Sequence, residues 1–228
     1  MSKVTAIISA YFAEKYLEGR IQNLQEQDPK PEILIICQAN SREEDIALPF
    51  LGDGTSLIHT EDIPTIYAVW NKAITFLQKR GGCEYVTNAN CDDRLYPGAL
   101  KKLADTLDHR HQAAMAYFNI DIVNEIGGKP VNLFNWAEGG LKELLQGCFL
   151  GPMPMWRLNL HEKYGLFDAE MHSAGDYEFW LRIAAGGERF QKIPETLGAY
   201  LNRDDSAGNR QSLRAIWETA RARARYRK

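Results

Sequence analysis

Two runs of apolar, largely β-branched residues, Val4-Thr5-Ala6-Ile7-Ile8-Ser9-Ala10 and Glu32-Ile33-Leu34-Ile35-Ile36-Cys37, bracket a segment in which Leu17, Ile21 and Leu24 recur at helical spacing. Runs with no polar alternation suit strands buried on both faces. Strand, helix, strand in that order predicts a right-handed βαβ unit and a parallel sheet. Asp28-Pro29-Lys30-Pro31 ends the helix. The alternation continues. A polar loop over 38–45 leads to a third strand near Leu57-Ile58-His59. A helix marked by Ile66, Val69, Ala73 and Leu77 follows, closed by Gly81-Gly82. A strand at Tyr85-Val86-Thr87 comes next, then a helix that starts at Pro97-Gly98 with Leu100, Leu103 and Leu107 on one face.

Past residue 112 the texture changes. A strand is expected over 114–123, a hairpin or wide turn over 124–130, and an irregular edge strand over 147–156, where Pro152 and Pro154 remove donors. Helices near 158–164 and 176–185, a strand near 197–201 and a basic terminal helix complete the chain. The expected class is α/β: a mostly parallel central sheet flanked by helices, with a small antiparallel part in the second half. At 228 residues, with 45% apolar and 25% charged residues, the chain suits one domain with ample core. Its four cysteines have no CxxC spacing and read as reduced thiols. No signal peptide and no membrane-length apolar stretch are seen, so a cytoplasmic protein is expected.

Two acidic features invite chemistry. Asn90-Cys91-Asp92-Asp93 follows the strand at Tyr85, at the sheet edge where open α/β proteins bind ligands. Adjacent carboxylates there suit a metal-assisted site for a phosphorylated ligand, or a solvated turn with Asp93 near a helix cap. Asp176, in Gly175-Asp176-Tyr177-Glu178-Phe179-Trp180-Leu181-Arg182, falls at a helix start that favours an ionised carboxylate. Taken alone it reads first as an N-terminal helix aspartate beside a buried Phe179/Trp180 face.

Taken in order, these elements resemble family 2 glycosyltransferases with the GT-A fold, over nearly the whole chain. Val4 to Gln27 matches the family's opening strand and helix. Trp70-Asn71-Lys72-Ala73 resembles its R-N-x-G/A segment, and the stretch from Asn90 to Leu100 its D-x-D-D-x-x-x-P-x-A-L metal element. The stretch from Phe149 to Arg157, followed by Gly165-Leu166-Phe167-Asp168, resembles the acceptor-side R…x-G-x-F-D stretch, and Gly175 to Arg182 resembles E-D-x-D-x-W-x-R. The resemblance implies a metal-dependent, inverting transfer of a sugar from a nucleotide-diphosphate donor to a hydroxyl acceptor, a glycan or lipid-linked saccharide. Asp92, assisted by Asp93, would hold a divalent cation (Mn²⁺ or Mg²⁺) against the leaving diphosphate, and Asp176 would deprotonate the acceptor. Ala10, Tyr11, Gln38, Asn71, Asn90 and Arg203 would form the donor site. Trp156, Arg157 and Trp180 are candidates for the sugar or acceptor side, with Trp180 better suited to packing. Residues 1–110 would be the nucleotide-sugar half of a single domain spanning 1–228, 111–205 the acceptor half and 206–228 the basic helix. The chain departs from the pattern at Cys37-Gln38-Ala39-Asn40-Ser41, with no carboxylate until Glu43, and at Asn90, Gly175 and Arg203. Rival readings are a transferase acting on hydroxylated bases in nucleic acid and a non-catalytic nucleotide-sugar-binding module.

The net charge of −3 conceals a local bias, since the last nineteen residues carry seven Lys/Arg and one Glu. A terminal helix docked by its Leu213, Ile216 and Trp217 face would explain it. So would contact with anionic lipid headgroups by a protein peripheral at the membrane, or phosphate contact with nucleic acid.

Overall fold

A computed structural model describes residues 3–61, 65–203 and 213–227. Its first half follows the expected alternation: β1 (Val4–Ser9), α1 (Glu14–Gln25), β2 (Glu32–Gln38), α2 (Arg42–Ala47), β3 (Thr55–Thr60), α3 (Ile66–Arg80), β4 (Tyr85–Asn88), β5 (Arg94–Leu95) and α4 (Ala99–His109). The second half contains β6 (Ala113–Val123), β7 (Asn132–Phe134), α5 (Leu141–Leu144), β8 (Met155–Arg157), α6 (Leu160–Tyr164), α7 (Gly175–Ala185), β9 (Arg189–Leu201) and α8 (Leu213–Tyr226).

The strands form one mixed sheet in the order β3-β2-β1-β4-β8-β6-β9-β5, with β7 paired to β6. β3, β2, β1 and β4 are mutually parallel, and so are β6 and β9. β8 runs antiparallel to both β4 and β6, and β5 and β7 are antiparallel to their partners, which gives the second half its mixed character. β8 corrects an expectation, because it is an interior strand and not an edge. The two prolines end just before Met155, so the residues after them keep their donors: all three pair with β4, and Met155 and Trp156 also pair with β6.

The period-2 alternation of β1 divides the core. Ala6 and Ile8 face α1 and α4, packing with Leu17, Ile21, Leu24, Leu103 and Leu107. Ile7 faces the opposite layer, where α3, α6 and α7 bury Tyr67, Trp70, Trp156, Phe167, Phe179 and Trp180. Leu17, Ile21 and Leu24 are wholly buried, each contributing about 2 kcal/mol of apolar transfer. α8 packs on α7 through Glu218 and Ala222 and leaves Leu213, Ile216 and Trp217 exposed, the reverse of the face expected from its apolar residues. The reason is polar: Glu218 finds backbone N–H partners that no side chain on the Leu/Ile/Trp face could match. Arg210 and Lys228, counted in the basic tail, lie outside the described residues.

Candidate active site

β1 and β4 are parallel neighbours, so the loops leaving Ser9 and Asn88 meet at one sheet edge. Between them opens a cleft of about 340 Å³, lined among others by Tyr11, Phe12, Tyr16, Trp70, Asp92 and Arg203. Its volume is in the range of small-ligand sites.

The acidic loop forms the floor. Asp93 is wholly buried. Its carboxylate accepts from Asn90 Nδ2 at 2.9 Å and from the Leu201 N–H at 3.4 Å. Burial, reinforced by the charge of Asp92, pushes its carboxyl up to about 7. Two guanidinium groups brace the loop. Arg20, fully buried in α1, donates to the Asp93 carbonyl at 3.1 Å, and Arg94 donates to the carbonyls of Cys91 and Asp93 at 2.8 Å each. Cations beneath two adjacent carboxylates offset part of the cost of desolvating them. Asp92 turns toward the cleft and pairs with Arg203 at 3.1 Å. The Arg203 guanidinium also lies 5.1 Å from the Tyr16 ring centre and draws the Tyr16 phenol below its ordinary pKa.

The opposite wall comes from the β1–α1 connection. The Tyr11 and Thr60 hydroxyls share a hydrogen bond, and burial raises the Tyr11 phenol. Phe12 is 85% exposed at φ 52°, a left-handed conformation costly for an aromatic residue and characteristic of functional loops. Ala13 is the α1 N-cap, and Glu43 accepts from its backbone N–H at 2.9 Å. Glu43, the first carboxylate after β2, therefore holds the loop that presents Tyr11 and Phe12.

Of the residues singled out from sequence, Tyr11, Asn90, Asp92, Asp93 and Arg203 line this cleft. Ala10 lies just behind it, its N–H bonded to the Ile36 carbonyl at 2.8 Å. Gln38 reaches the Glu61 carbonyl at 3.4 Å. Asn71 is engaged elsewhere, since its carboxamide donates to the Phe167 carbonyl and accepts from the Phe167 N–H, both at 2.9 Å. Trp156 and Trp180 are buried among aromatic rings. Arg157 donates to the Ala113 and Leu107 carbonyls at 2.9 and 2.6 Å. These last three serve packing and sheet closure.

Asp176 stands beside the cleft on the first turn of α7. Its Oδ1 accepts from the Tyr67 hydroxyl at 3.0 Å and the Tyr177 N–H at 2.8 Å. Burial outweighs both bonds and raises its carboxyl pKa. Gly175 makes this approach possible: a Cβ there would sit 2.6 Å from the Tyr67 ring. Tyr67 packs edge-on against Trp70, at 5.5 Å between ring centres, and Trp70 lines the cleft. One turn of α3 thus separates the cleft wall from the group bonded to Asp176. Tyr67, Arg20, Phe12 and Glu43 were not picked out from sequence. Only Phe12, adjacent to Tyr11 at the end of a buried strand, carried a local signal.

Among the described residues, no three His, Cys, Asp or Glu side chains are grouped to hold a metal ion. Both aspartates border the cleft, but the Asp92 side chain is partly exposed there while Asp93 is fully buried. This donor set fits a hard divalent cation bound jointly with a diphosphate, since Mg²⁺-type sites commonly use one or two carboxylates plus substrate phosphates and water.

Solved structures share this architecture. S. aureus TarS residues 1–349, solved with UDP, superposes with a TM-score of 0.76 at 18% identity, covering 99% of this chain and 65% of that one. The longer S. aureus TarS structure gives 0.74 at 19% identity, covering 98% and 39%. The mannosyltransferase PcManGT from Pyrobaculum calidifontis, solved with GDP-Man and Mn²⁺, gives 0.66 at 18% identity, covering 90% and 58%. The chain thus spans about two thirds or less of these relatives, and at such identities the likeness is one of fold. No curated protein sequence matches the chain. The model of the glycosyl transferase family 2 matches residues 5–154, from the first strand through the acidic loop and into the second half. The chain belongs to glycosyl transferase family 2.

Proposed function

We propose that this protein transfers a sugar from a nucleotide-diphosphate donor to an acceptor hydroxyl with inversion at the anomeric carbon. The observation that carries the reading is the shared wall of α3: Trp70 lines the cleft that holds Asp92 and Arg203, and Tyr67 holds Asp176 beside it. In this reading Tyr11 and Phe12 flank the nucleobase, with Ala10, Gln38 and Asn90 shaping the pocket around them. Asp92 is the protein ligand of a divalent cation, which when bound neutralises charge on the diphosphate leaving group. Asp93, with Asn90, fixes the loop from behind. Arg203 exchanges Asp92 for the diphosphate. Asp176 accepts the acceptor's proton as its oxygen bonds to the anomeric carbon. The bond from that carbon to the diphosphate oxygen breaks on the opposite face. Residues 1–110 then serve the donor, 111–205 the acceptor.

The test is binding of UDP, GDP and their sugars, with and without Mn²⁺, combined with turnover. Asp92→Ala is expected to abolish the Mn²⁺-dependent part of the affinity. Asp176→Asn is expected to keep affinity and lose turnover by roughly 10²–10⁴-fold. Absence of nucleotide binding under every condition would sink the reading.

The outer face of α8 favours one partner over another. Leu213, Ile216 and Trp217 are exposed beside Arg214 and Arg221. Apolar side chains among cations suit an anionic lipid surface better than a nucleic-acid backbone. Co-sedimentation with phosphatidylserine vesicles but not phosphatidylcholine vesicles, weakened by Trp217→Ala, is expected. Equal binding to both, or to neither, would remove this surface from consideration. Among the described residues no helix is long and apolar enough to cross a membrane.

A further inference from the structure

The only glutamate of the basic terminal helix is buried, at 3% exposure, and faces the helix that carries Asp176. Glu218 Oε1 accepts from the His172 N–H at 3.0 Å. Its Oε2 accepts from the N–H groups of His172, Ser173 and Ala174 at 3.1, 2.8 and 3.1 Å. Ala174 is the α7 N-cap and has no side-chain acceptor of its own. Three consecutive N–H groups converging on one carboxylate form an anion-binding concavity, filled here by a side chain of the same molecule. The ionised carboxylate also sits at the positive end of the α7 dipole.

We infer that Glu218 is a positioning residue for Asp176, fixing the backbone turn from which the base projects into the acceptor side of the site. The inference rests on the assignment of Asp176 as base. The turn 172–174 enters α7 two residues before Asp176, whose Oδ1 is tied in turn to the N–H of Tyr177. α8 cannot slide along α7, because Arg223 donates to the Tyr177 hydroxyl at 2.9 Å and to the Gln146 carbonyl at 3.0 Å. About two turns beyond Glu218, Arg225 meets Asp168 and Glu178 at 3.4 and 3.3 Å, contacts that fasten the far end of the helix and do not touch the turn 172–174. The helix read from composition as a basic appendage is thereby a support of the catalytic edge. A displacement of a base by about 1 Å costs on the order of 10²-fold in rate, so a carboxylate that never touches substrate can control turnover.

The experiment uses the full chain as wild type, Glu218→Gln, Arg225→Ala and Asp176→Asn. It measures hydrolysis of UDP-glucose, UDP-N-acetylglucosamine and GDP-mannose, together with hydrogen exchange at the amides of 172–176. Glu218→Gln keeps the size and one acceptor oxygen but loses the charge. It is expected to lower kcat by at least about tenfold with donor KM within about twofold, and to speed exchange at those amides about tenfold. Arg225→Ala weakens the same helix pair away from that turn and is expected to lower thermal stability with kcat within about twofold. Unchanged exchange in Glu218→Gln overturns the inference whether or not a donor is turned over. So does an equal loss of kcat in Arg225→Ala. If Asp176→Asn is inactive while Glu218→Gln keeps wild-type kcat, positioning alone fails. If Asp176→Asn turns over normally, the base assignment fails first.

Discussion

Ala13 and Ala174 occupy helix N-caps that Ser, Thr, Asp or Asn ordinarily fill. At each, a distant glutamate accepts from the capping residue's own N–H, Glu43 at Ala13 and Glu218 at Ala174, the part played by the glutamate of a capping box. The two helices concerned are those that follow the Tyr11–Phe12 loop and carry Asp176. Asp176, the proposed base, shows what its surroundings do to a carboxylate. Burial lifts its carboxyl pKa, while the Tyr67 hydroxyl and Tyr177 N–H oppose the lift. A general base works only when deprotonated, so turnover is expected to fall on acidification, and to begin falling above the ordinary aspartate value of roughly 4. Tyr67→Phe removes one donor to the charged form and is expected to move the acidic limb to higher pH with nucleotide affinity unchanged. A kcat–pH profile checks both, and an acidic limb that Tyr67→Phe moves to lower pH would contradict this account of Asp176.

At the scale of elements, β8, α6 and α7 are joined through His161. The Trp156 Nε1–H donates to His161 Nε2 at 3.0 Å, so Nδ1 carries the ring proton and donates it to the Gly165 carbonyl at 3.0 Å. The ring stacks on Phe179 at 4.6 Å. Burial draws its pKa down to about 4. Because the unfolded chain takes up this proton near pH 6.5 and the folded one does not, stability is full above about 6.5. It declines as pH falls toward 4, by about 3 kcal/mol in all. Urea denaturation at pH 7 and pH 4.5 is expected to show this loss in wild type and a smaller one in His161→Gln. Elements of this kind divide the legible from the illegible. β1, β2 and β4, and the faces of α1, α3 and α4, follow from apolar runs and helical spacing within a few residues of one another. α2 carried a readable signal that the loop reading passed over: Ser41 caps it and Glu44 stands three residues on, with the Glu44 N–H bonded to Ser41 Oγ at 3.2 Å. β8 had none, since three residues after two prolines reveal nothing of the strands on either side. In the acidic loop the residue types were legible, but burial of one carboxylate and exposure of the other depend on Arg20 and Leu201, far away in sequence.

For the whole molecule the question is how a parallel first half and a mixed second half are held in one register, since the cleft borders both. β8 supplies the sheet pairing, and two asparagines supply side-chain ties of the same design. Asn23 pairs both ways with the backbone of Leu95, at 2.9 Å each, fixing α1 to β5, the first-half strand that pairs with β9 of the second half. Asn71 does the same with Phe167, fixing α3 to the turn that leads toward α7. Phe167 then stands among Tyr67, Trp70, Trp156, Phe179 and Trp180, the aromatic layer under Asp176. The Asn71 tie therefore sets the distance between the cleft wall and Asp176 without facing the cleft. Its removal separates two roles that the sequence alone left joined. Asn71→Asp keeps an acceptor for the Phe167 N–H but places a carboxylate against the Phe167 carbonyl, an arrangement expected to cost about 1–3 kcal/mol of stability. A residue that touches the donor would change nucleotide affinity; a tie between halves changes stability and turnover. Calorimetry with UDP and GDP is expected to give Kd values within about twofold of wild type, alongside a melting temperature lower by a few degrees. Weakened nucleotide binding at unchanged melting temperature would instead return Asn71 to the donor pocket and leave the β4–β8–β6 pairing as the main bond between the halves.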